Sequence, residues 1–388
     1  MQIRRFKGLN NVSDPLRLGM AWLQTADNVN ITDTGSIEKR DGYQLVASGN
    51  YSSAYSTFDF QRTYFVRGYN LFDFDGNVVA SLTSTNPMYW AEINDQVFFN
   101  NGTDRGIIMP DNTLLPWAWP VPAAPNVAAV TGNLAAGIWQ VRCTFVLADG
   151  RETGTSEPAE IALVEGQGIS ISDIPHLTGA MTKVYIAPAN SAVYQLAFQT
   201  TGSSMVWNYS NDALGEDLRN MFLDSIPVGA DVIQFWKGRA YAAQYDAQHD
   251  QTVVWSSEAL GFHLFSLNRG FFLVPGHVLM LAPTEDALIV GTENRVYAYA
   301  GDKLDQVAEY GVVPGQHWAS DVDAEGNSKI IFWTKRGVCS ALPFTNLTEA
   351  QVSVAPGVRA GGAIVRQGGQ VRYVVSLQQG GAAFNKHP

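Results

Sequence analysis

Short apolar runs alternate with polar turns through most of this chain, at the two-residue period of half-buried strands. The stretches QRTYFVRGYNLFDFDGN (61–77), DQVFFNNGTDRGIIM (95–109), KGRAYAAQYDAQHDQTVVWSSE (237–258), EDALIVGTENRVYAYAGD (285–302), GNSKIIFWTKRGVCSALP (326–343) and GGQVRYVVSLQQG (368–380) share one form. Each has an apolar run, a tight turn such as Gly68-Tyr69-Asn70, Glu293-Asn294 or Lys335-Arg336-Gly337, and a second run with alternation like Val296-Tyr297-Ala298-Tyr299. Each predicts a β-hairpin. Hairpins recurring at this spacing point to the blades of a β-propeller of about six blades, in which radial repetition leaves only short sheet edges. No Trp-Asp dipeptide marks blade ends and no kelch double glycine recurs, so a pair of β-sandwiches is the competing architecture.

The hairpin series is interrupted. WAWPVPAAPNVAAVTG (117–132), with Pro116, Pro120, Pro122 and Pro125 in and around it, reads as a linker. Beyond it lie a long alternating strand and the Asp149-Gly150 turn (135–163), a strand in GISISDI (168–174), and a hairpin in KVYIAPANSAVYQLAFQT (183–200). Six or seven strands in this span resemble a fibronectin type III sandwich, the sort without paired cysteines. A short helix is predicted next, N-capped by Asn211 or Asp212 with Leu214, Leu218, Met221 and Phe222 on one face. The chain therefore divides into an arm with the first blades (1–120), an inserted sandwich (121–228) and the remaining blades (229–388). The expected fold is all-β.

Composition agrees with this. Hydrophobic residues make up 46% of 388 and charged residues 16%, which favours a packed core over disorder. The net charge of −11 is unfavourable for broad contact with nucleic acid phosphates. Cys143 and Cys339 sit in separate apolar runs and read as buried free thiols. No signal peptide is visible at Met1–Lys7. The longest apolar stretch, 270–283, is short for a membrane span and broken by Pro275 and His277, so a soluble protein made in a cytoplasm is expected.

Motifs that would force chemistry are missing: no HExxH, P-loop, GxSxG elbow, dinucleotide fingerprint or Cys/His cluster occurs. His263, His277 and His317 read as structural. DFDGN (73–77) has strand flanks and lacks an acidic residue where Ser84 stands, so it reads as a turn and not a calcium loop. ITDTGSIEKR (31–40) resembles the Asp-box of sialidase blades, but Ile31 replaces the Ser and the following aromatic is absent. No arginine cluster suited to a sugar carboxylate stands out, and Glu92, Glu285 and Asp286 read as solvated turn residues. Neither a catalytic residue, a cofactor nor a metal is expected. Trp117, Trp119, Trp236 and Trp333 suit either core or interface, and for most the core is expected.

The polar N-terminal arm carries the most specific signal. FKGLNN (6–11), ADNVNI (26–31) and DTGSIEKRDGY (33–43) resemble the opening of a group of tailed-bacteriophage proteins, the head-to-tail stabilisation, tail-hub and nozzle proteins. The matching positions are Gly8, Leu9, Asn10, Asn28, Val29, Gly35, Ile37, Arg40, Gly42 and Tyr43. The motif covers the first 43 residues; beyond them only the order of hairpins is similar, and the chain is short for the family, which puts needle- or fibre-binding domains in doubt. The resemblance implies a non-enzymatic virion structural protein with a propeller and an inserted domain. It further implies a homo-oligomeric ring, commonly a hexamer, below the portal and its adaptor. Such a ring continues the DNA channel without binding DNA specifically, retains the genome and docks other tail proteins. An acidic channel wall suits that role, because it repels phosphate over roughly 8 Å at physiological salt. The alternatives are a baseplate or tail-tip component of a long-tailed phage that contacts other tail proteins or host glycan, and a carbohydrate-active propeller. The arm itself could pack on a neighbouring copy or close the propeller within its own chain.

Overall fold

The computed structural model describes residues 5–379 apart from 33, 43, 46, 47, 323–325, 327, 368 and 369. The described chain is all-β, built from small antiparallel sheets in sequence order. Sheet I holds Ser53–Ser56, Thr63–Arg67, Asn70–Asp73 and Val78–Ser81. Sheet II holds Tyr89–Ile93, Gln96–Asn100, Arg105–Ile108 and Leu114–Leu115. Sheet III runs Val232–Trp236, Arg239–Asp246, Gln251–Glu258, with Gly261–Phe265 and Phe271–Pro275 both paired to its third strand. Sheet IV holds Val278–Pro283, Leu288–Thr292, Val296–Ala300 and Lys303–Ala308. Sheet V holds Trp318–Val322, Ser328–Thr334, Gly337–Ala341 and Thr345–Asn346. Sheet VI is the hairpin Arg359–Gln367 and Gln370–Gln378.

The hairpins expected in 61–77, 95–109, 237–258, 285–302 and 326–343 are present, with the turn chemistry that tight hairpins need. The stretch 368–380 instead supplies a single strand, Gln370–Gln378, because its partner is the preceding strand Arg359–Gln367. Asn94-Asp95 and Lys237-Gly238 link paired strands with positive φ at both residues, the geometry whose twist matches the flanking strands. The 73–77 turn closes through Asp73, whose carboxylate accepts from the Asn77 backbone and side chain, with Gly76 at φ 87.

Apolar layers fill the spaces between successive sheets. Tyr64 and Leu71 of sheet I pack with Trp90 and Phe99 of sheet II. Phe98 joins Phe235 of sheet III and Leu281 and Val290 of sheet IV; Ile289 joins Phe332 of sheet V; Trp333 joins Ala360 of sheet VI. Inner strands such as Val232–Trp236 and Leu288–Thr292 are buried throughout, because each is covered on both faces. The outer strand Lys303–Ala308 is exposed or half-buried except at Ala308. This layered arrangement is propeller-like. Polar ties cross the same seams: Asn100 Nδ2 donates to the Ala230 and Asp231 carbonyls, Trp236 Nε1 to Thr284 O at 2.8 Å, and Trp333 Nε1 to Pro356 O at 3.0 Å. Trp117, Trp236 and Trp333 are core residues as expected, and so are the unpaired Cys143 and Cys339; burial pushes the Cys143 thiol up to about 12.

Between sheets II and III the chain forms two further sheets. Asn126–Thr131, Gln167–Ser172 and Met205–Trp207 make one; Ala159–Leu163, Gly137–Leu147, Ala180–Ala187 and Gln195–Thr200 make the other. Trp139, Val141, Cys143, Ile169, Ile171 and Trp207 fill the space between them. The predicted helix does not form: a single 3-10 turn at Asn211–Ala213 takes its place, and Phe222 is exposed. The reason is pairing at a sheet edge. Gly215 and Leu218 donate to Leu196 O and Tyr194 O, and Leu196 donates back to Glu216 O, which draws the segment out along the Gln195–Thr200 strand.

The arm packs on its own chain. Gly8–Leu9 pairs in parallel with Trp22–Leu23, and Val29–Ile31 forms a hairpin with Ile37–Lys39. Asn11 then makes three hydrogen bonds to the segment after sheet V: its amide to Gln351 O at 3.0 Å, its Nδ2 to Ser353 O at 3.0 Å, and its Oδ1 from Ser353 N at 2.7 Å. Glu38 faces Arg372 of sheet VI at 3.9 Å.

Candidate functional site

Side chains from the first strands of sheets I, II, III, V and VI line one cavity of about 560 Å³. Among the residues that line it are Tyr55 from sheet I, Trp90 and Glu92 from sheet II, Trp318 and Asp321 from sheet V, and Arg366 from sheet VI. Tyr55 stacks on Trp90 with ring centroids 5.6 Å apart and planes 11° from parallel, and Trp90 Nε1 donates to Ser53 Oγ at 2.8 Å. Gln316 spans the middle, accepting from Trp90 N at 3.2 Å and donating to Trp90 O at 3.4 Å.

Both carboxylates in the cavity already hold donors. Glu92 Oε2 accepts from Tyr55 OH and from Phe58 N, each at 3.0 Å, and Asp321 pairs with Arg366 at 2.6 Å. Burial, and then the Glu92 charge, pushes the Tyr55 hydroxyl far above the ordinary tyrosine range, so it stays a donor. Neither histidine nor cysteine lines the cavity. Aromatic faces, amides and two carboxylates are groups that hold a polar, ring-shaped ligand. Glu92 is thus part of this lining, where the sequence suggested a solvated turn. Phe58 and Phe60, at the rim, are exposed.

The residues singled out in the arm form a scaffold. Gly8 lies under the Trp22 ring, whose nearest carbon is 3.4 Å from the position a Cβ would take. The Asn10 side chain accepts from the amides of Val12 and Ser13 at 3.2 and 2.9 Å. Asn28 adopts φ 56 and its carbonyl receives the Arg40 amide at 2.9 Å, while Val29 faces Lys39. Gly35 is at φ 80 against the Phe6 backbone, where a Cβ would lie 2.9 Å from the Phe6 oxygen. Leu9 pairs with Leu23, Gly42 has open space around it, and Tyr43 lies outside the described residues. The structure does not bring these residues to the central cavity.

Sequence reading missed two clusters. Arg239 and Arg269, thirty positions apart, meet around a recess of about 440 Å³ with Tyr241 and Tyr299, but Glu258 and Asp302 share it and offset their charge. Glu152 accepts from Thr144 at 2.7 Å, Tyr185 at 2.8 Å and Lys183 at 3.0 Å, and Lys183 also reaches Glu216 at 2.9 Å. Desolvation opposes the Lys183 charge, yet the two carboxylates win and raise its pKa. The Glu152 carbonyl lies 3.1 Å from His263 Nε2, which ties the two-sheet unit to sheet III. Burial lowers the His263 pKa, which favours the neutral ring. No spacing signal announces either cluster, since each depends on strand register.

No protein-family model matches this chain, and no curated protein does. Among solved structures, the extracellular domain of a B. thetaiotaomicron protein assigned as a hybrid two component system aligns at 9% identity over 82% of this chain and 36% of that one, with a TM-score of 0.31. Apo AztD from Citrobacter koseri aligns at 12% identity over 83% of this chain and 89% of its own, with a TM-score of 0.28. A protein from Lactobacillus plantarum aligns at 15% identity over 81% and 94%, with a TM-score of 0.25. Likenesses of this size identify neither a family nor an activity, and none of these neighbours is a phage connector protein.

Proposed function

We propose that this chain is a non-enzymatic structural subunit of a tailed-bacteriophage virion. In this reading sheets I–VI are six blades, the arm hairpin Val29–Ile31 and Ile37–Lys39 completes the last of them, and residues 121–228 are a fibronectin III-like insert. Copies assemble in the bacterial cytoplasm into a ring, a hexamer by resemblance, at the head–tail junction. The ring contacts the portal, its adaptor or other tail proteins, and DNA passes it without specific binding. The observation that carries the reading is the arm. It is fixed to its own chain at Asn11, yet it holds Leu16 at 95% exposure with Met20 and Val12 also exposed, a costly display for a subunit that works alone. The net charge of −11 supports passage of DNA without adhesion.

A second reading is favoured by the central cavity: Tyr55, Trp90, Trp318 and Glu92 offer aromatic and acceptor groups to a saccharide, which suits a tail-tip component that touches host glycan. The mass of the purified protein across a concentration series, with and without residues 1–43, separates the two. A ring that is lost on deletion supports the connector reading. A monomer at every concentration that binds glycans, and loses that binding in Glu92→Gln, replaces it with the second.

A further inference from the structure

Residues 10–21 form a closed loop whose ends are held together by the Gly8–Leu9 and Trp22–Leu23 pairing and by Asn10 N donating to Leu23 O at 2.7 Å. This is an Ω-loop, a compact surface element built from its own side chains. Apart from the bonds of Asn11 to Gln351 and Ser353, its bonds are local and polar: Asn10 takes the Val12 and Ser13 amides, Asp14 Oδ1 takes the Leu16 amide at 3.0 Å, and Asp14 O takes the Arg17 amide at 2.9 Å. The loop is therefore fixed without a core of its own, and it presents Leu16 and Met20 outward beside Asp14 and Arg17, whose side chains are 3.9 Å apart and open to water.

Elsewhere on the chain lies a groove of about 530 Å³ between the outer parts of sheets I and II and the linkers that flank the two-sheet unit. Leu82, Leu114, Trp119, Ile226 and Val228 line it, and Val228 is 81% exposed. Two of its groups lack what their chemistry asks for. The Arg105 guanidinium donates to the carbonyls of Ile226 and Pro227 at 3.2 and 3.3 Å, and no carboxylate comes within ion-pairing distance of it among the described residues. Burial alone depresses its pKa, the mark of a desolvated cation without a counter-ion. Trp119 Nε1 is shielded from water and has no hydrogen-bond acceptor among the described residues. At the rim, Asp104 is held in place by Thr83, Ser84 and Asn101. No residue of the loop lines this groove within the same chain.

We propose that the 10–21 loop of one copy seats in this groove on a second copy, with Leu16 and Met20 on the apolar lining, Asp14 toward Arg105 and Arg17 toward Asp104. The inference rests on the assembly reading above and names its contact. Apolar meets apolar, and each knob charge meets its opposite in the groove. The loop is anchored beside sheet V, and the groove lies on sheets I and II, so the contact joins two different patches. Such a heterologous contact repeats from copy to copy and closes into a ring when the rotation between copies divides a full turn.

Two exposed-site variants test it, Leu16→Asp in the knob and Val228→Asp in the groove, each first matched to the wild type in thermal melting. Sedimentation should show each variant associating at least tenfold more weakly than the wild type. An equimolar mixture should form one-to-one dimers that grow no further, since only one knob and one groove remain competent. If the wild type assembles and both variants assemble to the same mass, this contact is wrong while the ring reading stands. A wild type that remains monomeric throughout overturns both.

Discussion

Acid should loosen the seam between sheets V and VI through His317. The side chain is fully buried, its Nδ1 accepts the Trp333 amide at 3.3 Å, and its carbonyl accepts the Tyr373 hydroxyl. Burial pushes its pKa from the ordinary 6.5 down to about 4, with backbone contacts only partly opposing. Between these two values the unfolded chain carries the proton and the folded chain does not, so stability is complete above about pH 7 and falls as pH falls toward 4. At about 1.4 kcal/mol for each tenfold change in proton affinity, the ceiling is about 3 kcal/mol, of which about 2 kcal/mol is lost between pH 7 and 5. Protonation also removes the acceptor for Trp333 N. Other groups act in different ways. The depressed carboxyls of Asp73, Asp104 and Asp149 lose their stabilisation as pH falls through their own lower range, and burial raises Asp231, which works in the opposite sense. Comparison with His317→Gln, which offers an acceptor and does not titrate, isolates the histidine. Urea unfolding followed by tryptophan fluorescence at pH 7, 6 and 5 should show the wild type losing about 2 kcal/mol more than the variant. Parallel losses in the two proteins would refute the assignment of acid sensitivity to this residue.

Other perturbations separate packing from backbone effects. Gly154→Ala places a Cβ 1.7 Å from Leu223 O and should cost about 3 kcal/mol or prevent folding, whereas Gly150→Ala, at φ 84 with open space around it, should cost roughly 1 kcal/mol; thermal melting ranks the pair. Asn11→Ala loses both side-chain bonds to Ser353 and should cost about 1 kcal/mol while making the arm the first site of limited proteolysis, read by mass spectrometry of the earliest fragments. Glu152→Ala leaves Thr144 and Tyr185 without an acceptor and Lys183 with Glu216 alone, and should lower stability by about 2–3 kcal/mol in denaturant titration.

What the sequence revealed followed from local physics. Alternation in 285–302 and 326–343 located hairpins because each strand pairs with its immediate successor, so the signal and the structure share one length scale. The buried thiols were legible for the same reason. The 211–222 segment was misread because four apolar residues at helical spacing carry no information about an open sheet edge nearby, and the edge decided the outcome. Glu92 and Arg105 owe their roles to neighbours supplied by other sheets or linkers: Tyr55 for one, the Ile226 and Pro227 carbonyls for the other. The arm motif marked an ordered element, but whether it packs within its own chain depends on Gln351 and Ser353, which no pattern near residue 11 announces.

That last contact constrains the order of events during synthesis. Asn11 meets Ser353 across 342 positions, so its partner has not yet left the ribosome while sheets I to IV are already able to form. Until then the arm has only its own local pairings, and the Asn11 contact that fixes it to the rest of the chain is missing. Closure is a late, long-range step, of the kind that slows folding and leaves unpaired edges available to other nascent chains. A messenger that paused translation before residue 351 would hold the protein in that open state.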